Sequence, residues 1–245
     1  MKSSAECLRE IDAVILAGGL GTRLRSAVPD LPKCLAPING KPYIAHFLSW
    51  LQGFGIRRVV FSLGYKAEMV RSFLDSSPFS GLHIETTIET IPLGTGGGVR
   101  SALPFIKSNT VLVANGDSFT KADLCQFIAN HREKEADVSV LLTRAAKTSA
   151  SGLVEFDSHG VVTSFLEKPV SMEAKAGFIN AGIYLFERNK IADITPNINV
   201  SLERDILPKY CNQKFFAMSG DFPFIDIGTP ESYSLADNFF QREAL

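Results

Sequence analysis

Ala13-Val-Ile-Leu-Ala-Gly-Gly-Leu-Gly-Thr-Arg-Leu24, followed shortly by Pro32-Lys33, decides how the rest of the chain is read. The apolar run over residues 11–17 has the continuous hydrophobicity of a strand buried on both faces of a parallel sheet. It stops at Gly18, Gly19 and Gly21. Glycine permits positive φ and close backbone approach, so such a loop can aim several N–H groups at one anion. Arg23 and Lys33 bring two cations to the same end of the strand, and together these groups point to a phosphate-rich ligand. The loop matches neither common phosphate fingerprint. It lacks the G-x-x-x-x-G-K-[ST] pattern, and Leu24 stands where G-x-G-x-x-G would have its third glycine. A glycine cluster after a strand also serves as a plain turn, so the reading needs support from the rest of the chain.

Composition sets the frame for that support. With 245 residues, 45% hydrophobic and 21% charged, the chain has the make-up of an ordinary globular protein with a substantial core. A net charge of −1 argues against a surface that coats nucleic acid. Cys7, Cys34, Cys125 and Cys211 share no C-x-x-C spacing, so neither a zinc site nor a disulfide framework is expected. The N-terminal apolar run is too short for a signal peptide or a membrane span, which makes the cytoplasm the default compartment.

Hydrophobic periodicity organises the chain into alternating strands and helices. Strands are expected over residues 57–63, 83–88, 110–114 and 137–142. Helices are expected after Pro42, over 66–74, over 96–103, and over 121–134 with Leu124, Phe127, Ile128 and His131 on one face. The pattern changes near Ser149. Residues 153–156 and 161–166, joined through Asp157-Ser-His-Gly160, read as a β-hairpin, and 178–186 as a further strand. Late helices are expected over 201–210 and over 229–240, the second with Thr229 capping Pro230 at its first position. The expected architecture is an α/β fold with a doubly wound, mostly parallel but mixed sheet of Rossmann-like type. Right-handed crossovers join its strands, and the second half carries a β-hairpin and substrate-binding portion. No linker divides it, so residues 1–245 are read as a single domain.

Ligands of open α/β sheets lie beyond the carboxyl ends of the strands. Four elements fall there: the loop over 18–23, Leu93-Gly-Thr-Gly-Gly-Gly98, Asn115-Gly-Asp117 and Phe224-Ile-Asp-Ile-Gly228. Asp117 directly follows an apolar strand, and Asp226 precedes a helix start. Either can be a turn or cap residue, but two carboxylates reaching one site would suit Mg²⁺ with substrate phosphate oxygens.

Gly-Gly-x-Gly-Thr-Arg-Leu followed by Pro32-Lys-x-Leu-x-Pro37 resembles the signature of the sugar-1-phosphate nucleotidyltransferases, whose fold is GT-A-like. In that family the Gly-Asp after the central strand and an Asp before Gly-x-Pro-Glu hold the catalytic Mg²⁺. The matching residues here are Asp117 and Asp226. Glu167-Lys168-Pro169 resembles the family's sugar-phosphate-binding segment, and Asn180-Ala-Gly-Ile-Tyr184 its sugar-binding segment. Gly152 matches the glycine that lies against the sugar, although Ser151 replaces the usual aromatic before it. The resemblance assigns the nucleotide to Leu16, Ala17, Gly18, Gly19, Gly21, Thr22 and Arg23, to Glu89, Pro92, Gly94 and Thr95, and to Asn115 and Gly116. It makes Arg23 and Lys33 the catalytic cations, and Gly152, Glu167, Lys168 and Asn180 the sugar-phosphate side.

The implied reaction is attack of a sugar 1-phosphate on the α-phosphorus of a nucleoside triphosphate, releasing pyrophosphate. At the position of Glu89 the family carries a Gln or Glu facing the base. A carboxylate only accepts hydrogen bonds, and guanine offers it N1–H and N2–H₂ on one edge where uracil offers one N–H. GTP is therefore favoured over UTP. Whole segments, among them Gly64-Tyr-Lys-Ala-Glu-Met69, are most similar to bacterial D-glycero-α-D-manno-heptose 1-phosphate guanylyltransferases, which implies GDP-heptose for surface polysaccharide. Mannose 1-phosphate, uridylyl transfer to an amino sugar such as N-acetylmuramate 1-phosphate, and a non-catalytic nucleotide-sugar sensor are the alternatives. The chain ends soon after the 229–240 segment, which leaves no length for an added left-handed β-helix domain. A homodimer is left open.

Overall fold

The computed structural model describes residues 6–76, 79–145, 153–167 and 176–242. Its centre is β1 (Asp12–Ala17), which pairs in parallel with β4 (Arg58–Leu63) on one side and with β6 (Thr110–Asn115) on the other. Beyond β4 lies β5 (His83–Ile88), also parallel. Beyond β6 the sheet turns antiparallel through β11 (Gly177–Glu187), which carries the hairpin β9 (Leu153–Phe156) and β10 (Val162–Leu166) at its edge. β8 (Val138–Ala145) pairs with β11, and β12 (Phe215–Gly220) runs parallel to β8. The sheet is therefore mixed, with nine strands among the described residues.

Strand alternation accounts for the two layers around it. Ala13 and Ile15 of β1 face a core containing Phe47, Leu48, Phe119 and Phe127. Val14 faces the opposite core, with Val99, Val113 and Tyr184. A strand with no polar side needs helices on both faces. The first core is covered by α1 (Tyr43–Gly53), α2 (Ala67–Ser76) and α4 (Leu124–Glu133), and the second by α3 (Gly94–Ala102) and α5 (Arg188–Ala192). The chain leaves β1 toward β4 and β5, then returns to the other side of β1 as β6. The crevice between β1 and β6 is thus the switch point, where loops separate and a ligand can enter.

Several elements depart from the sequence expectations. The segment over 201–210 is a π-helical turn, Leu202–Ile206, followed by a 3₁₀ turn, Leu207–Tyr210, because Pro208 has no N–H with which to continue a helix. The segment over 229–240 divides into α6 (Pro230–Tyr233) and α7 (Ala236–Arg242), although Thr229 does cap it, accepting from Ser232 N. Two short pairs were not foreseen: β2 (Pro37–Ile38) with β3 (Lys41–Pro42), and β7 (Ser118–Thr120) with β13 (Phe224–Asp226). Cys7 and Cys125 form a disulfide with Cα atoms 5.4 Å apart, which overturns the expectation of no disulfide. The two lie 118 residues apart, so only tertiary packing brings them together. The change of pattern near Ser149 lies outside the described residues.

His131 sits at the end of α4 with 2% of its surface exposed. Its Nδ1 is 2.8 Å from Ser139 Oγ and its Nε2 is 3.2 Å from Glu187 Oε1. Burial is the main influence on its pKa and lowers it from 6.5, outweighing the opposing pull of Glu187. The unfolded chain therefore takes up a proton on acidification before the folded one does, and stability falls. The thermal midpoint is expected to begin dropping below about pH 6.5 and to level off below the folded-state pKa. His131→Gln should flatten that part of the profile, which differential scanning calorimetry across pH 5–8 would read.

Candidate active site

Loops at the carboxyl ends of β1, β4, β5 and β6 open onto a cavity of about 650 Å³, closed on the far side by residues of β11, β13 and the turn at Leu202–Ile206. Leu16, Ala17, Gly18, Gly19 and Arg23 line it from β1 and the loop that follows. Gly21 holds a positive φ of 64°, which L side chains rarely adopt, and a Cβ there would also lie 3.1 Å from the Lys33 stem. Gly21 thus shapes the loop and seats Lys33 without itself lining the cavity, and Thr22 is exposed outside it.

The charged groups converge beside the backbone of Gly228. A Cβ at that glycine would stand 2.7 Å from Asp226 Oδ1 and 3.3 Å from both Arg23 Nη2 and Lys33 Nζ. Lys33 Nζ is in turn 2.9 Å from Asp117 Oδ2. The pairing of β7 with β13 sets Asp226 opposite Ser118, and Ile227 N donates to Asp117 O. Tyr43 supports this from below, its hydroxyl donating to Ser118 O at 2.6 Å. Burial first, and then the charges of Asp117 and Asp226, hold that phenol far above its ordinary range, so it remains a donor. Cys34, directly beneath Lys33, is pushed up to about 12 by burial and stays a thiol, not a nucleophile.

Asp226 is held above the ordinary carboxylate range by burial and by the neighbouring charge of Asp117. Gly228 N, Lys33 and Arg23 oppose the shift without cancelling it. Two carboxylates crowded together on one wall, only partly neutralised by cations, fit a hard divalent ion such as Mg²⁺, which needs few protein oxygens when phosphate supplies others. Among the described residues no group of three or more His, Cys, Asp or Glu is arranged around a metal. These two aspartates are the residues that would hold one.

At the other end of the crevice Glu89 is not a loose strand-end charge. Its Oε2 accepts from Leu93 N at 3.0 Å and its Oε1 from Ser62 Oγ at 3.3 Å. Gly98 backs onto the same spot, where a Cβ would come within 3.0 Å of Glu89 Oε1. Partial burial raises the Glu89 pKa, against the two hydrogen bonds. The next glycines of the run lie against a neighbouring backbone. Gly96 N donates to Val200 O, and a Cβ at Gly97 would collide with Ile198 O at 2.7 Å. They let α3 pack on the backbone of residues 198–200. Pro92, Gly94 and Thr95 line the cavity, but the Thr95 hydroxyl is already engaged by Glu203.

Asn115, Gly116 and Asp117 line the floor beyond β6, with Asn115 Oδ1 buried and unpartnered among the described residues. Glu167 and Asn180 line the opposite end. Gly152 and Lys168 lie outside the described residues. Sequence reasoning missed Ser62, Tyr65, Asn199, Glu203 and Arg204, all of which line the cavity. Ser62, a polar residue inside the apolar strand β4, was the one local signal among them.

A profile of the nucleotidyl transferase family matches residues 12–243. The chain is 37% identical over 223 residues to the D-glycero-alpha-D-manno-heptose 1-phosphate guanylyltransferase of Campylobacter jejuni, covering 91% of this chain and 97% of that protein. It is also 37% identical over 227 residues to the mannose-1-phosphate guanylyltransferase of Mycobacterium tuberculosis, covering 91% of this chain but only 63% of that longer protein. The crystal structure of HddC from Yersinia pseudotuberculosis complexed with GMP-PN superposes with a TM-score of 0.82 at 34% identity, covering 94% of this chain and 99% of that one. The expected architecture is the observed one, and the chain belongs to the nucleotidyl transferase family.

Proposed function

We propose that the protein transfers GMP from GTP to D-glycero-α-D-manno-heptose 1-phosphate, giving GDP-heptose and pyrophosphate, with residues 1–245 acting as a single catalytic domain. The observation that carries the reading is the convergence of Arg23, Lys33, Asp117 and Asp226 at the switch-point crevice. Similarity to heptose 1-phosphate guanylyltransferases along nearly their whole length supports the choice of substrates. A phosphate monoester has a second pKa near ~6, so the sugar phosphate arrives ionised and needs no general base. One of its oxygens bonds to the α-phosphorus as the bond to the β-phosphate oxygen breaks, and the electron pair leaves on pyrophosphate.

The work of the chain is to bring two anions together. Arg23 binds the departing pyrophosphate through its guanidinium fork. Lys33, drawn toward Asp117, neutralises charge where nucleophile and α-phosphate meet. Asp117 and Asp226 would hold Mg²⁺, which when bound supplies charge neutralisation on the phosphoryl oxygens. Gly18 and Gly19 present backbone to the triphosphate, and Glu167, Lys168, Gly152 and Asn180 receive the sugar phosphate.

Glu89 reads the base. Each of its oxygens keeps a free lone pair for guanine N1–H and N2–H₂ beyond the bonds it already accepts. Glu89→Gln is expected to raise KM for GTP by about tenfold, with KM for the sugar phosphate changing little. Steady-state kinetics with each substrate varied in turn would read the difference.

Mannose 1-phosphate is the second reading, favoured by an identity to the mycobacterial guanylyltransferase equal to that for the heptose enzyme. A grid of four nucleoside triphosphates against heptose, mannose and amino-sugar 1-phosphates, followed by pyrophosphate release, tests both. Release with UTP and not GTP would sink the guanylyl assignment. Among the described residues no helix is long and apolar enough to cross a membrane. We place the enzyme in the cytoplasm with its nucleotide substrate. The Cys7–Cys125 bond favours an oxidising compartment instead, and alkylation trapping of the thiols in intact cells decides between them.

A further inference from the structure

A polar chain runs between the two ends of the cavity through a buried carboxylate. Glu203 is 9% exposed and lines the cavity from the turn at Leu202–Ile206. Its Oε2 accepts from Thr95 Oγ1 at 2.7 Å and from Ser201 Oγ at 2.9 Å, and its Oε1 accepts from Tyr184 OH at 3.3 Å. Thr95 belongs to the first turn of α3, on the nucleotide side, and its hydroxyl also accepts from Leu202 N. Tyr184, wholly buried on β11, accepts from Asn180 Nδ2 at 2.5 Å. Asn180 Oδ1 accepts from Gly182 N at 2.9 Å.

The direction of every bond in this chain is determined. Gly182 N–H can only donate, so the amide nitrogen of Asn180 must face Tyr184. The Tyr184 hydroxyl accepts there and sends its own proton to Glu203. A carboxylate that only accepts is the one end-point consistent with three incoming hydroxyl protons. Asn180 is left with one amide hydrogen for the cavity it lines.

We infer that Glu203 is a positioning residue that orients Asn180 toward the sugar phosphate and ties the first turn of α3 to the same support. The inference rests on the two-substrate reading proposed above. The two substrate halves thereby share one buried carboxylate, which neither loop contains by itself.

Glu203→Gln keeps the size of the side chain but turns one acceptor into a donor facing hydroxyl donors. Its single oxygen can face only one side, so either Tyr184 or the Thr95–Ser201 pair meets an amide N–H where its own proton had an acceptor. KM is expected to rise by about tenfold for the sugar 1-phosphate where the amide N–H faces Tyr184, or for GTP where it faces Thr95, with kcat changing least. Tyr184→Phe, which removes one hydroxyl, should raise KM for the sugar phosphate alone, and it decides the matter if Glu203→Gln does not fold. A folded Glu203→Gln protein with both KM values unchanged overturns the inference even if it melts earlier, since that outcome marks a merely structural role.

A second readout needs no substrate. Asn180→Asp puts an acceptor against a Tyr184 proton already committed to Glu203, and Glu203→Gln frees that proton. The combined variant is expected to lose less thermal stability than the two single losses together. Additive losses overturn the inference. Absence of pyrophosphate release by the wild-type protein with every substrate pair would instead overturn the functional reading, and the unfolding experiment keeps the two failures apart.

Discussion

Lys33→Ala is expected to lower turnover by about 10²–10³-fold, the loss typical of removing one preorganised group that stabilises developing charge. Lys33 Nζ is 2.9 Å from Asp117 Oδ2 and 3.3 Å from the Cβ position at Gly228, which Asp226 Oδ1 also adjoins. Its stem crosses Gly21, so the ammonium is delivered by a fixed path and not by a free surface side chain. Without it, Arg23 is the cation left beside Asp117 and Asp226 among the described residues to meet an incoming polyanion. Single-turnover pyrophosphate release, with circular dichroism to establish the fold, measures the effect. Native turnover in a folded Lys33→Ala protein would remove this residue from the mechanism.

The second large effect separates activity from stability. Asp226→Asn should lower turnover by at least about 10²-fold, because the proposed divalent-ion site loses one of its two charges. The same variant should melt at a higher temperature than the wild type at neutral pH, in the absence of Mg²⁺ and nucleotide. The sign follows from the raised pKa of Asp226, caused by burial and then by Asp117. A carboxyl whose folded pKa lies above its unfolded value of 3.8 stabilises the fold while protonated, and that contribution is lost as pH rises through the folded value. At neutral pH the charge is a cost, and asparagine removes it while its Oδ1 can still accept from Gly228 N. A lower melting point for a well-folded Asp226→Asn would contradict the repulsion argued here. Unchanged turnover would contradict the metal role. Carrying such a cost is the usual trade of stability for function at an active site.

Local chemistry made much of this legible. Strands β1, β4 and β6 announce themselves because each is buried on two faces and so has no polar alternation to hide in. Arg23 and Asp117 are legible because each follows an apolar strand within a few residues, and Lys33 and Asp226 because Pro32-Lys-x-Leu-x-Pro37 and Asp226-x-Gly-x-Pro-Glu231 resemble the family's motifs. The pairing of β7 with β13 was not legible. Three-residue strands carry no periodicity, and these two lie about a hundred residues apart. The split between α6 and α7 and the π-helical turn at Leu202–Ile206 escaped for a related reason, since tertiary packing overrode a pattern that local spacing permits.

Glu203 shows where the limit lies. In the sequence it is one acid in an apparently helical stretch, indistinguishable from a solvated surface charge. Its meaning comes from Thr95 and Tyr184, residues on two other elements. The Cys7–Cys125 pair is the same case in covalent form. The sequence by itself determined the reaction class, because the glycine loop, the cations and the carboxylates stand in short contiguous motifs that resemble those of the nucleotidyltransferases. Only the tertiary structure decided what those motifs share: that Arg23, Lys33 and Asp226 meet beside Gly228, that Gly96 and Gly97 of α3 pack against the backbone of residues 198–200, and that one buried carboxylate is bonded by residues from both ends of the cavity. The physical reason is that charge and backbone freedom are properties of a residue, whereas burial and hydrogen-bond direction are properties of its neighbours.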